Sequence, residues 1–310
     1  MSLRLALTQT VCPLTDLPPL DRIGEVAPRL DEIRDACVEH HLDLLRRAKG
    51  RGAQLVCFGE LFHAPYFALT QHPVWRDMAE DARSGPTVRA VSRVAAELGI
   101  AVVAPIYELD SKSGRRFNTA VVIDAKGDVL GTYRKVHVPQ GKNEQGVFDE
   151  RFYYDASDGL MVQGPANVSE NRFFPVFEVQ GIRLGVAICY DRHFEGVMRS
   201  LALNGAQVVV SPAVTFGEKS HRMWGQEFAV DACRHRIVVA GSNRLGSEPP
   251  WNQPYFGETY VVGPEGPFHD LSEDDRLVIV DVALDTLTRP DPAGWNLSRD
   301  VRPETYSQEG

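Results

Sequence analysis

Short β-branched, apolar runs recur along the chain, and two kinds of connection separate them. Leu3–Thr8, Gln54–Phe58 and Ile100–Ile106 are parted by stretches with helical periodicity. The first of these stretches, Leu30–Lys49, gathers Leu30, Ile33, Cys37, Leu42, Leu44, Leu45 and Ala48 largely on one side; the second, Thr87–Leu98, is closed by Gly99. Elsewhere the runs are joined tightly. Phe117–Ile123 and Val129–Tyr133 flank Asp124–Asp128, and Phe174–Val179 and Ile182–Ile188 flank Gln180-Gly181, so both read as hairpins. Helical crossovers give parallel strand pairs and tight turns give antiparallel ones, so the chain must build mixed α/β sheets. The second half continues in the same style. It has helices over about Glu195–Leu203 and Arg222–Arg236, strands at Val208–Ser211, Ile237–Ser242 and Glu258–Val262, and a closing strand at Leu277–Val282.

No internal repeat and no Ser- or Gly-rich linker divides the 310 residues, which predicts one domain over 1–285. Residues 286–310 form a Pro- and Arg-rich tail, too short to be a domain and suited to packing on the body or on a partner subunit. Gln140–Asn171 is long and polar, with poor periodicity, and reads as a functional or mobile loop. A net charge of −9 with no long basic run argues against nucleic acid or an anionic membrane surface as a partner. No apolar stretch nears the roughly 20 residues that span a bilayer. The N-terminus lacks the pattern of a signal peptide. The five cysteines include no CxxC pair, and the histidines lack metal-ligand spacing. A reducing, cytoplasmic setting without a metal or other cofactor is expected.

Three chemically different groups close three strand-like runs: Glu60 after Gln54–Phe58, Lys135 after Val129–Tyr133, and Cys189 after Ile182–Ile188. A lone cysteine at a strand end is usually an inert core thiol, and a strand-end lysine or glutamate is usually solvated. Together they suit acyl chemistry. A cysteine attacking an acyl carbon needs a base for its proton, donors for the developing oxyanion, and an acid for the leaving nitrogen. Glu60 can serve as base and then acid, and Lys135 with the Tyr190 backbone N–H as oxyanion donors. A helix beginning near Phe194 is expected to turn its positive end toward the thiolate.

These residues carry a resemblance. Tyr133-Arg134-Lys135-Val136-His137-Val138-Pro139 and Gly185-Val186-Ala187-Ile188-Cys189-Tyr190-Asp191-Arg192, with Glu60 upstream, resemble the Glu-Lys-Cys motifs of the nitrilase (carbon–nitrogen hydrolase) superfamily over about Leu3 to Val282. The resemblance implies an αββα sandwich that pairs into a four-layer-forming dimer core, and amide-type C–N hydrolysis without a metal. Phe148–Tyr154 is similar to the segment that carries a second glutamate in N-carbamoyl hydrolases, which implies that Glu150 orients Lys135. Ser242–Gly246 and the Trp295…Tyr306 tail also resemble that branch. Relatives commonly read Pro-Glu after the nucleophile motif's aromatic; here Phe194 is followed by Glu195-Gly196, which bears on where the helix starts.

Arg192 is then the specificity candidate: either a guanidinium clamp for a substrate carboxylate, or the partner of Glu195 or another internal acid. Tyr190 and His193 join it as candidate substrate-binding positions, with His193 and His137 more suited to hydrogen bonding than to catalysis. Trp224, Phe228 and Val230 read as packing residues. The implied activity is hydrolysis of an N-carbamoyl amine, above all an N-carbamoyl amino acid such as N-carbamoyl-β-alanine. N-carbamoylputrescine, simple amides and nitriles are alternatives, and acyl transfer to an amine or a non-enzymatic scaffold are remoter ones.

Overall fold

The computed structural model describes residues 2–161 and 163–307; the last three positions of the expected 286–310 tail lie outside the described residues. In chain order the first half contains β1 (Ser2–Thr8), α1 (Leu30–Gly50), β2 (Leu55–Cys57), α2 (Pro86–Leu98), β3 (Ala101–Leu109), β4 (Arg116–Ile123) and β5 (Val129–Arg134). A small hairpin follows, β6 (Gln140–Asn143) and β7 (Gly146–Asp149). The second half contains β8 (Val176–Val179), β9 (Ile182–Val186), α3 (Glu195–Leu203), β10 (Val208–Ala213), α4 (Glu218–His235) and β11 (Val238–Asn243). It continues through the hairpin β12 (Leu245–Glu248) and β13 (Gln253–Phe256) to β14 (Tyr260–Gly263), β15 (Gly266–Pro267) and β16 (Leu277–Ala283), with α5 (Leu297–Asp300) in the tail.

Two six-stranded mixed sheets result, ordered β16-β1-β2-β3-β4-β5 and β8-β9-β10-β11-β14-β15. Both run antiparallel, parallel, parallel, antiparallel, antiparallel across those orders. Each is a βαβαβ unit with antiparallel strands at either side, one joined to it by a hairpin (β3–β4, β8–β9) and one reached by a longer connection (β16 beside β1, β14 beside β11). The two halves therefore share a topology that the sequence does not display as a repeat.

Strand alternation sorts side chains between the layers. Leu3, Leu5, Leu7, Leu55, Cys57, Val103 and Val122 pack with Leu184, Val186, Val208 and Val210, which joins the sheets face to face. Ala6, Val56, Val102, Val121 and Ile123 point the other way, onto Leu42 and Leu45 of α1 and Val88, Val91 and Ala95 of α2. On the far side, Val197, Met198 and Leu201 of α3 and Trp224, Phe228 and Ala232 of α4 cover the second sheet, completing an αββα sandwich. Helix α4 lies directly on Gly241: a Cβ there would stand 2.4 Å from Phe228 and 2.7 Å from Trp224.

Several sequence expectations shift. Val230 is 49% exposed and sits away from the core that Trp224 and Phe228 fill. Helix α4 starts at Glu218, before the expected Arg222, because Gly217 supplies the positive φ (+90°) that ends the preceding loop. Gln140–Asn171 is not uniformly irregular. It opens with the β6–β7 hairpin and a 3₁₀ turn at Glu150–Phe152, where Asp149 caps Phe152 N–H. The tail leans on the helical face: α5 packs on α4, and Arg199 of α3 lies over the Tyr306 ring.

Candidate active site

Glu60, Lys135 and Cys189 leave the two sheets from β2, β5 and β9, and the sandwich brings the three strand ends together. Gly59 N–H is held by Thr8 Oγ1, and the chain turns sharply after Glu60, where Leu61 adopts φ +50°. Glu60 is wholly buried. Its Oε1 accepts from Asn118 Nδ2 (2.7 Å) and Lys135 Nζ (2.8 Å), and its Oε2 accepts from the Val214 N–H at the end of β10 (2.7 Å). Lys135 Nζ, also fully buried, donates to Glu150 Oε2 at 2.6 Å, and Tyr66 OH donates to Glu150 Oε1 at 2.8 Å. One ammonium thus stands between two buried carboxylates. Burial alone pushes the lysine toward its neutral form, but Glu150 and Glu60 overcome this and hold Lys135 above the usual lysine range. Burial raises Glu150, against the opposing pull of Lys135.

Cys189 follows β9 with φ +50°, a left-handed backbone that costs a non-glycine residue about 1–2 kcal/mol and persists only where surroundings enforce it. Asp191 does much of the enforcing. This fully buried side chain accepts from Tyr133 OH (2.6 Å) and Ile188 N–H (3.1 Å) at one oxygen, and from His137 N–H (2.9 Å) and Nδ1 (2.8 Å) at the other. It ties the nucleophile-type turn to the residues on both sides of Lys135. The thiol points at Val214 O, 3.5 Å away. Burial, reinforced by Glu60 and opposed by Lys135 and Arg192, pushes the Cys189 thiol up to about 12, so it rests protonated at neutral pH. A 3₁₀ turn, Cys189–His193, follows, and the α-helix begins at Glu195 with Phe194 as its uncapped N-terminal neighbour. Phe194 stacks on His137, with ring centroids 3.7 Å apart.

Arg192 is buried beside the sulfur. Its Nη1 donates to Cys189 O (2.8 Å) and lies 3.9 Å from Sγ, its Nη2 donates to Thr215 Oγ1 (3.1 Å), and its Nε stands 3.3 Å from Glu227. The internal acid is therefore Glu227 of α4 and not Glu195. His193 Nδ1 contacts the other Glu227 oxygen at 2.6 Å. Tyr190 packs edge-on against His193 and Phe194. Phe148, Phe216, Tyr66 and Tyr255 form an aromatic wall beside Val214 and Tyr154. The β6–β7 tip is tied in place: Glu144 Oε1 caps Glu218 N–H at the start of α4, and Gln253 Nε2 donates to Gln145.

Sequence reading passed over Asp191, Asn118, Tyr66 and Glu227. Asp191 carries no signal of its own in the sequence, because an aspartate in a turn is ordinarily a solvated or turn-forming residue. The other three lie on elements whose approach to the site depends on tertiary packing.

The fold and this constellation define a carbon–nitrogen hydrolase of the nitrilase type. Residues 29–289 match the carbon-nitrogen hydrolase family, and the chain belongs to it. It is 28% identical over 277 residues to N-carbamoylputrescine amidase of Arabidopsis thaliana, covering 85% of this chain and 86% of that one. It is 31% identical over 198 residues to beta-ureidopropionase of the same organism, covering 64% and 44%. The crystal structure of a carbon-nitrogen hydrolase from Helicobacter pylori G27 superposes with a TM-score of 0.78 at 20% identity, over 99% of this chain and 97% of that one, and shows the same fold.

Proposed function

We propose that this chain hydrolyses an N-carbamoyl amine through a Cys189 thiocarbamate, with an N-carbamoyl amino acid such as N-carbamoyl-β-alanine as substrate. The observation that carries the reading is the buried Glu60–Lys135–Glu150 set at the protonated Cys189 thiol. Glu60 takes the thiol proton as sulfur bonds to the carbamoyl carbon. Lys135 and the Tyr190 N–H hold the oxyanion, and Glu150 fixes Lys135. The tetrahedral centre collapses with cleavage of the C–N bond, and the amine leaves with the proton from Glu60. Water, deprotonated by the same Glu60, then attacks the thiocarbamate and frees the thiol, and the carbamate yields carbon dioxide and ammonia. The names of the relatives, N-carbamoylputrescine amidase and beta-ureidopropionase, support the N-carbamoyl group as the recognised unit.

A carboxylate-bearing tail would be met by Arg192, aided by Tyr190 and His193. One observation favours the second reading, an N-carbamoyl diamine such as N-carbamoylputrescine: Arg192 already faces Glu227, so an acidic substrate must compete for it. Steady-state kinetics on both substrates test this. Turnover of either one that survives Cys189→Ala sinks the mechanism. Exposed Leu203, Val230 and Trp295 on the α3–α4–tail face support at least a homodimer, which light scattering measures. Five free cysteines suit a cytoplasmic setting. No helix among the described residues is long and apolar enough to cross a membrane.

A further inference from the structure

The turn that carries Glu60 is held by a buried ion pair from the second half of the chain. Arg244, just before β12, and Glu248, its last residue, are 3% and 0% exposed, and Arg244 Nη1 donates directly to Glu248 Oε1. Arg244 Nη2 donates to three carbonyl oxygens of a single turn: Glu60 (3.1 Å), Leu61 (3.1 Å) and Ala64 (3.0 Å). Those carbonyls converge where Leu61 is in the left-handed region, a conformation that a leucine does not keep unaided. Glu248 works on the other end of the same segment. Its Oε2 accepts the Tyr66 N–H (2.8 Å), and its Oε1 also accepts the Cys12 N–H (2.7 Å). Tyr66 in turn presents its hydroxyl to Glu150.

Both carboxylates that grip Lys135 are therefore linked to this one pair, Glu60 through its own backbone and Glu150 through Tyr66. A buried ion pair is weak support for stability, since apolar replacements often serve as well. Here the guanidinium spends a donor group on main-chain oxygens that an apolar side chain leaves unpaired, and its planar fork reaches the turn and Glu248 together, which a lysine ammonium does less completely. We propose that Arg244 and Glu248 are positioning residues for the hydrolysis: they fix the Glu60 turn and Tyr66 so that the base, the orienting carboxylate and Lys135 meet in one geometry. The inference rests on the reading of Glu60 as base and Cys189 as nucleophile.

The test uses the full chain with Arg244→Met, Arg244→Lys and Glu248→Gln. Active sites are counted by iodoacetamide labelling of Cys189 carried to its end point, so that a slower thiol still counts; Tm is measured on the free protein, and kcat and KM on whichever N-carbamoyl substrate the wild type turns over. Misplacement of the base by about an ångström predicts a kcat per titratable Cys189 lowered about 100-fold in Arg244→Met, with KM within about threefold of wild type. Arg244→Lys recovers part of that loss, and Glu248→Gln falls between wild type and Arg244→Met. If Arg244→Met does not fold, the lysine and glutamine variants carry the same comparison. A merely structural pair lowers Tm and the titratable fraction only. Unchanged kcat per titratable Cys189 in the folded variants, or a loss falling on KM alone, overturns the proposal. Full turnover in Glu60→Gln or Cys189→Ala overturns the underlying mechanism instead, whatever Arg244 does.

Discussion

Replacing Lys135 with methionine removes the one cation between two buried carboxylates. The ammonium is 2.8 Å from Glu60 and 2.6 Å from Glu150, and none of the three side chains is more than 1% exposed. Deleting one member of such a buried set costs about 3–5 kcal/mol, because the remaining charges lose their compensation. A proton can partly replace the lost cation. Glu150 is already displaced upward by burial, and without Lys135 it rises further, since the attraction that opposed burial is gone. The sign follows. A carboxyl whose folded pKa lies above its unfolded one contributes stability at low pH and loses it as pH rises through the folded pKa. The variant's deficit is therefore smallest near pH 5 and grows toward pH 8, by at most about 1.4 kcal/mol per pH unit for one proton. Urea unfolding of wild type and variant at both pH values, at equal protein concentration, measures it. A deficit that does not change with pH contradicts this, because Glu150 then takes up no extra proton when Lys135 is gone.

Cys189 in Glu60→Gln should alkylate with iodoacetamide many-fold more slowly than in wild type near pH 7, since burial still holds the thiol above its usual range, even with the Glu60 charge gone, and its base is lost; equal rates near neutrality argue against Glu60 as the base. Asp191→Ala leaves four donors facing a void, and at about 1 kcal/mol or more per unpaired buried group it should cost at least about 3 kcal/mol in denaturant unfolding; a cost below about 1 kcal/mol contradicts its role in holding the Cys189 turn. Glu227→Gln weakens the internal claim on Arg192 and should lower KM for N-carbamoyl-β-alanine several-fold while leaving N-carbamoylputrescine unchanged. Arg192→Gln should raise KM for the acid selectively; equal effects on both substrates exclude a carboxylate clamp. Tyr66→Phe removes a hydrogen bond to a charged acceptor, worth about 1.5–3 kcal/mol, and should lower kcat about 10-fold or more with little change in KM.

What the sequence reveals and what it hides divide along a physical line. Glu60, Lys135 and Cys189 are legible because each ends a strand-like run, and a mixed sandwich brings strand ends together. Helix α2 and its Gly99 cap, and the Gln180-Gly181 turn with both residues at positive φ, follow from local rules that act within a few residues. The β6–β7 hairpin is hidden because its strands are four residues each and turn only Phe148 and Asp149 inward, too few for an alternating pattern to show. Glu227 is hidden because it meets Arg192 from 35 positions away along the chain, on a helix whose rotation is set by Trp224 and Phe228 packing on Gly241. Arg244 is hidden for the same reason: its three carbonyl partners lie about 180 residues upstream. The left-handed Cys189 and Leu61 are hidden because strain of this kind is imposed by surroundings and not by residue type.

In the proposed mechanism the carbamoyl group passes through the Cys189 sulfur. Rapid acid quench during turnover of N-carbamoyl-β-alanine or N-carbamoylputrescine, followed by peptide mass mapping, measures this directly. The expected result is one carbamoyl group in place of the thiol hydrogen of Cys189, with Cys12, Cys37, Cys57 and Cys233 unmodified and no adduct or turnover in Cys189→Ala. Turnover without a Cys189 adduct, in a protein that stays active as Cys189→Ala, contradicts it.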